Sequence, residues 1–208
     1  HAQLDETYAS KDISLIVSPV YPGPHEQVHI KARTFSFGVE TTVLNWYVDG
    51  KLIKSGKNIS EITVTTGAVG TPTTIKVTAA PPTITHYEKI LTIWPSSLEI
   101  VWHTNTYTHP GYRGKALPVW GAAVEIKALP LFSTGGGVLN PKNLTYEWHV
   151  DDVLLGPGSG LGKQTLTLPI TKSPNIQPQI SVRVTNEEKT ITNEKHITIP
   201  VREPEVLF

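Results

Sequence analysis

Leu44-Asn45-Trp46-Tyr47-Val48-Asp49-Gly50 has a near-copy in Leu144-Thr145-Tyr146-Glu147-Trp148-His149-Val150-Asp151-Asp152. Each phrase alternates apolar and polar residues, carries one tryptophan, places a valine two positions later and ends in an acidic turn. A strand that reappears after about one hundred residues has the spacing of one β-sandwich module. The repeat therefore predicts one fold used twice, with Trp46 and Trp148 as core residues and Val48 and Val150 beside them. A large indole between two sheets has a packing reason to be there, which weakens any catalytic reading of the repeated strand.

The totals agree. The chain has 208 residues, enough for two small domains. Eighteen Lys and Arg balance eighteen Asp and Glu, giving a formal net charge of zero. Nucleic acid and anionic membrane surfaces call for a basic field, so neither is expected as a partner. Cysteine is absent, which removes disulfides, thiolate zinc sites and cysteine nucleophiles. An extracellular animal immunoglobulin domain usually joins its sheets by a disulfide, so the composition favours a bacterial, archaeal or intracellular module. No apolar run approaches the roughly 20 residues that span a bilayer, and no membrane insertion is expected.

The ends read as processed. His1-Ala2 before Gln3 fits the remnant of an exported precursor, or a cloning scar. Glu205-Val206-Leu207-Phe208 matches most of a picornaviral 3C protease recognition sequence, so residues 203–208 are expected to be a tag remnant. If that tail is foreign, the natural chain extends past Arg202 and can carry an anchor there.

Between the ends, short Val-, Ile- and Thr-rich runs alternate with Pro and Gly turns, and no stretch has a capped helical period. Residues 1–12 read as an arm, 13–95 as a first domain and 96–202 as a second, with Trp94-Pro95-Ser96-Ser97 at the boundary. Asp49-Gly50 is a hairpin signal, because both central residues of a type I′ turn need positive φ. Val124-Glu125-Ile126-Lys127-Ala128 repeats Val28-His29-Ile30-Lys31-Ala32. The Gln164–Leu168, Ile180–Val184 and His196–Ile199 runs repeat those at Ile62, Ile75 and Leu91. Gly135-Gly136-Gly137 is a loop tip with no helix after it, so it is not a phosphate cradle. The expected fold is all-β, two consecutive immunoglobulin-like β-sandwich domains.

Several phrases carry a resemblance. They are Ser18-Pro19 with Pro22-Gly23, the Trp-Tyr-Val-Asp-Gly-Lys run at 46–51, the Ile75 and Leu91 strands, Thr106-Tyr107-Thr108, Tyr112 to Pro118, and Gly160-Leu161-Gly162-Lys163. On these the chain resembles the tandem Ig-like or PKD-like modules of bacterial exported proteins, including surface proteins of Patescibacteria-type bacteria. The Gly-Asp-Gly corner of PKD repeats is missing. The resemblance implies a non-catalytic, exported module with a structural or adhesive role at a cell surface. It would act without a cofactor, as a monomer or as part of a larger surface assembly, on an unknown protein or a surface glycan.

One stretch invites a second reading. Residues 102–120 hold Trp102, His103, Tyr107, His109, Tyr112, Arg113, Lys115 and Trp120. Aromatic faces with an arginine suit a sugar or peptide platform, so Trp102, Tyr107, Tyr112, Arg113 and Trp120 are the candidate binding residues of a carbohydrate-binding module. The plainer alternative is a long connection packed against the linker and the first module. His25 and His29 would share a face if both were extended, but no third ligand lies near them, and no metal site is expected. A mature N-terminal His1 suggests a remote third reading, a copper-dependent polysaccharide monooxygenase. The repeat leaves it no long insertions to shape a copper face.

Overall fold

The structure, a computed structural model, describes residues 12–80, 86–107, 113–171 and 176–203. The chain is all-β and forms two compact units. The first takes in the described residues up to Ser96 together with Ser133–Gly137; the second takes in Ser97–Phe132 and the described residues from Val138 onward.

The first unit has seven strands: β1 (Ile13–Ser18), β2 (Gln27–Thr34), β3 (Leu44–Val48), β4 (Lys51–Gly56), β5 (Glu61–Thr65), β6 (Thr73–Ala79) and β7 (Tyr87–Ile93). They form a three-stranded sheet, β1-β2-β5, and a four-stranded sheet, β4-β3-β6-β7. Alternation explains the layers. In β2 the odd positions are exposed while Val28, Ile30 and Ala32 face inward. Across the sandwich, Leu44, Trp46, Ile75, Val77 and Ala79 complete one buried cluster. Asp49 and Gly50 have φ of 50° and 80° and close a two-residue turn, with Val48 opposite Lys51. The hairpin expectation holds.

The second unit repeats the plan. Its main strands are β8 (Ser97–Thr104), β9 (Ala123–Leu131), β12 (Thr145–Val150), β15 (Thr165–Pro169), β16 (Gln179–Thr185) and β17 (Thr192–Thr198). Two two-residue strands join them, β13 (Val153–Leu154) and β14 (Gly160–Leu161); two more, β10 (Ser133–Thr134) and β11 (Gly137–Val138), pair only with each other as a separate hairpin. The sheets are β15-β9-β8 and β13-β12-β16-β17, with β14 also on β12. Gly135 and Gly136 form the tip of the β10–β11 hairpin. The run 156–160 leads from β13 into β14. It holds a short 3-10 turn, Gly156–Gly158, followed by β14.

The two units share hydrogen bonds as well as topology. Trp46 and Trp148 have no exposed surface. Trp46 Nε1 donates to the Ile59 carbonyl at 2.8 Å, and Trp148 Nε1 donates to the Lys163 carbonyl at 2.8 Å. Each acceptor lies just ahead of the strand that enters the opposite sheet (β5 and β15), so each indole ties sheet to sheet. Ala32 N–H donates to Ser60 O and Ala128 N–H to Gln164 O, the next residues along. Val48 and Val150 need a correction. Both are half-buried at the core's rim, because each is the last residue of its strand before the turn.

One difference between the cores brings in a titratable group. Where the first unit has Leu44, the second has Tyr146, fully buried, its hydroxyl donating to Pro141 O at 2.9 Å. Burial pushes its pKa up to about 12. An unfolded chain sheds this proton near the ordinary value of about 10, while the native protein keeps it. Between those values the native state holds more protons, so stability falls as pH rises, by roughly 1.4 kcal/mol per unit at most. Denaturant melts near pH 9.5 and pH 11.5 should show this loss in the native sequence. Tyr146→Phe should lack it. Equal losses in both would mean that the phenol is not the cause.

Candidate functional site

The 102–120 stretch begins on β8, where parity decides orientation. Leu98 is buried and Ile100, Trp102 and Thr104 are half-buried, while Glu99, Val101, His103, Asn105 and Tyr107 are exposed. Trp102 therefore faces the core side of β8, while Tyr107, three residues past the end of that strand, is exposed. Trp102 is also covered. Lys115 Nζ sits 3.5 Å from the centre of its ring. Partial loss of water pulls the Lys115 pKa below the ordinary lysine value. At such a half-open site a cation–π contact contributes about 0.5–1 kcal/mol. Thr106 Oγ1 donates to Leu117 O at 2.8 Å and fastens the same loop to the end of the strand. Trp102 thus anchors the connection.

Trp120 behaves differently. It is 63% exposed, yet its Nε1 donates to Thr171 O at 3.2 Å. The neighbouring backbone is tied to the same segment, with Gly121 N–H donating to Ile170 O and Ile170 N–H to Ala122 O, each at 2.8 Å. The ring is therefore both presented and held. Beside it Val150, Leu168, Pro169, Ile170, Thr171 and Pro178 line a crevice of about 60 Å³. That volume takes a few water molecules, whereas small-molecule sites run to roughly 300 Å³ or more. Any ligand here would lie on the indole face.

Of the five candidate residues, Trp102 is turned inward, while Tyr107, Arg113 and Trp120 are exposed. Tyr112 lies outside the described residues, as do His109 and His1. The structure does not bring Trp102 and Tyr107 onto one face.

His25 and His29 do not meet the condition that would put them on one strand face. His25 has φ of 55° and sits in the turn before β2, so it shares no strand face with His29. His29 instead lies against Glu61 Oε2 at 3.3 Å and Thr63 Oγ1 at 3.2 Å on the outer face of its sheet. His103 faces Glu125 at 3.9 Å across the β8–β9 pair. Among the described residues no three His, Asp or Glu side chains group as metal ligands. Some other charges form cross-strand pairs, such as Arg183 with Glu194 at 2.9 Å and Lys76 with Glu88 at 3.7 Å. Exposed pairs of this kind contribute about 0–1 kcal/mol each.

Two aspartates were not singled out for a role by the sequence. Asp49 Oδ1 accepts the Thr74 N–H at 2.8 Å, and Asp151 Oδ1 accepts the Gln179 N–H at 3.0 Å. In both units the same aspartate N–H donates back to the same residue's carbonyl at 2.8 Å. The acidic turn after each tryptophan strand therefore clamps the neighbouring strand of its sheet, β6 or β16, at its start.

No protein-family profile matches the chain, and no curated protein matches it. Solved structures with some likeness include fibronectin(III)-like modules of Clostridium thermocellum CbhA, at 14% identity and a TM-score of 0.40, over 91% of this chain and 95% of that one. The three N-terminal domains of the bacteriophage RB49 highly immunogenic outer capsid protein align at 15% identity and a TM-score of 0.36, over 91% of this chain and 58% of that one. Immunoglobulin domains 1–4 of Sidekick-1 align at 13% identity and a TM-score of 0.28, over 93% and 50%.

Proposed function

We propose that this chain is a non-catalytic, exported structural or adhesive module, in which two stiff sandwiches hold edges and loops out to a protein at a cell surface. One observation carries the reading. The bonds duplicated between the units, the indole-to-carbonyl tie and the aspartate clamp, are those that stiffen a sandwich. Beyond core changes such as Tyr146 for Leu44, what differs between the units is the surface: strand edges and the connection around Trp120. A scaffold kept constant beneath variable surfaces suits recognition better than chemistry.

A glycan-binding reading keeps one specific support, the exposed and fixed indole of Trp120. Trp102 no longer belongs to it, because its face is occupied by Lys115.

Beads carrying the chain separate the two on cells of its source. Adhesion to a protein is lost when the cells are treated with protease and survives glycosidase. Adhesion to a glycan shows the reverse and falls at least tenfold in Trp120→Ala, while Trp102→Ala weakens folding instead. Beads that bind no cells under any treatment would overturn the adhesive reading.

A further inference from the structure

The two units differ most sharply along one edge. In the first, β4 is a continuous strand at the rim of its sheet, paired to β3 on one flank and, among the described residues, to no strand on the other. Lys51, Leu52, Ile53, Lys54 and Ser55 are all exposed. In the second unit the same flank of β12 carries two fragments, Val153–Leu154 and Gly160–Leu161, with Gly156-Pro157-Gly158 between them. Proline cannot donate to a ladder, and two-residue pieces offer no template. A continuous rim therefore exists at this position in the first unit alone.

The chemistry of that rim selects its occupant. Lys51, Lys54 and Lys57 lie within one short stretch, and no acid occurs from Lys51 to Ser60. The acids flanking it are engaged: Asp49 Oδ1 with the Thr74 N–H, and Glu61 Oε2 with His29. Lys54 Nζ donates to the Glu61 carbonyl at 3.4 Å. Leu52 and Ile53 are 49% and 45% exposed. A second copy laid against this rim would set lysine-bearing strands side by side, and like charges at short range repel. Ile53 is also the extra residue of a bulge, where the register steps from Trp46 opposite Lys54 to Tyr47 opposite Leu52. Bulges and edge lysines discourage indiscriminate pairing. An acidic strand turns the same lysines from a barrier into an attraction, and its alternate apolar residues would meet Leu52 or Ile53.

We propose that β4 is a strand-addition site for an extended, acidic segment of a partner protein. This rests on the reading of the chain as an interaction module and names the place where it acts. Six residues of strand present about 20 Å of backbone, enough for a short peptide.

The test uses the full chain, isotope-labelled for NMR, and two synthetic octapeptides, one alternating glutamate with valine and one alternating lysine with valine. The acidic peptide should shift the amides of residues 51–56 saturably and slow their hydrogen exchange, and added salt should weaken it. The basic peptide should bind at least tenfold more weakly. A triple variant, Lys51→Glu with Lys54→Glu and Lys57→Glu, should reverse the preference, and an unmoved Trp46 indole signal would report an intact fold. No response at millimolar acidic peptide would overturn the proposal. So would an equal response along residues 145–161. Protection of residues 51–56 that rises with the chain's own concentration would name a second copy as occupant and overturn it too. Cell adhesion that persists in the triple variant without any peptide effect sinks this site alone, whereas loss of adhesion by the unmodified chain sinks the interaction module itself.

Discussion

Trp148→Ala unfolds the second unit under conditions where the first stays folded, and Trp46→Ala does the converse. Both indoles are fully buried. A tryptophan hides roughly 200 Å², which at about 25 cal/mol per Å² is about 5 kcal/mol. Measured Trp→Ala costs of about 3–5 kcal/mol agree. A small domain has only about 5–15 kcal/mol in total, so one truncation removes a large share. In a unit of this size each kcal/mol moves the midpoint by roughly 4–8 °C, so a shift of at least about 12 °C is expected. Calorimetry should show one transition displaced and the other in place. Trp→Phe separates area from hydrogen bonding. It keeps most of the apolar volume but leaves the Ile59 or Lys163 carbonyl without its indole donor. Its cost should be smaller than that of alanine yet exceed about 1 kcal/mol. A shift below about 5 °C in either alanine variant would contradict the account of both cores.

The second large effect belongs to the aspartate clamp. Asp49 and Asp151 each sit at φ of 50° while accepting a backbone N–H from β6 or β16. Alanine at such a position loses a charge-assisted hydrogen bond of about 1.5–3 kcal/mol and adds about 1–2 kcal/mol of left-handed backbone strain. Asp49 is exposed and Asp151 half-buried, and solvent weakens both bonds, so the sum should fall near the low end, about 2–3 kcal/mol. Three substitutions divide it. Asp151→Gly relieves the backbone but keeps no acceptor. Asp151→Asn keeps both the acceptor and a tolerance for positive φ, and should cost least. Asp151→Ala lacks both. Chemical denaturation should rank stability as Asp, Asn, Gly, Ala, and the same order should hold at Asp49. Alanine at or above asparagine would show that the clamp contributes nothing.

Much of the fold was legible because it rests on local periodicity and on the repeat. Val28-His29-Ile30-Lys31-Ala32 and its copy occupy the same register, Ile30 opposite Ile62 and Ile126 opposite Leu166. The turn at Asp49-Gly50 was readable because its chemistry is confined to two residues. The clamp made by the same aspartate was not, since it depends on which strand starts beside the turn, 25 residues on. The inward aim of Trp102 was within reach: it shares parity with Leu98 and Ile100, and the expectation of a platform overlooked that. The contact of Trp120 with Thr171 spans 51 residues and has no local signature. Val48 and Val150 were misplaced by one step of depth, because sequence periodicity gives the face of a strand but not how near its end lies to solvent. The condition on which His25 and His29 would have shared a face is not met, since His25 lies in a turn.

The division of one rim into fragments has a consequence for valency. If both copies of this strand ran unbroken, a single molecule could be gripped at two equivalent places, and successive molecules could string together without limit, as open heterologous contacts do. Because one copy is cut at Gly156-Pro157-Gly158, the described residues leave one unbroken strand at this position. A partner strand added there would close that rim, and chains could not string together through this position alone.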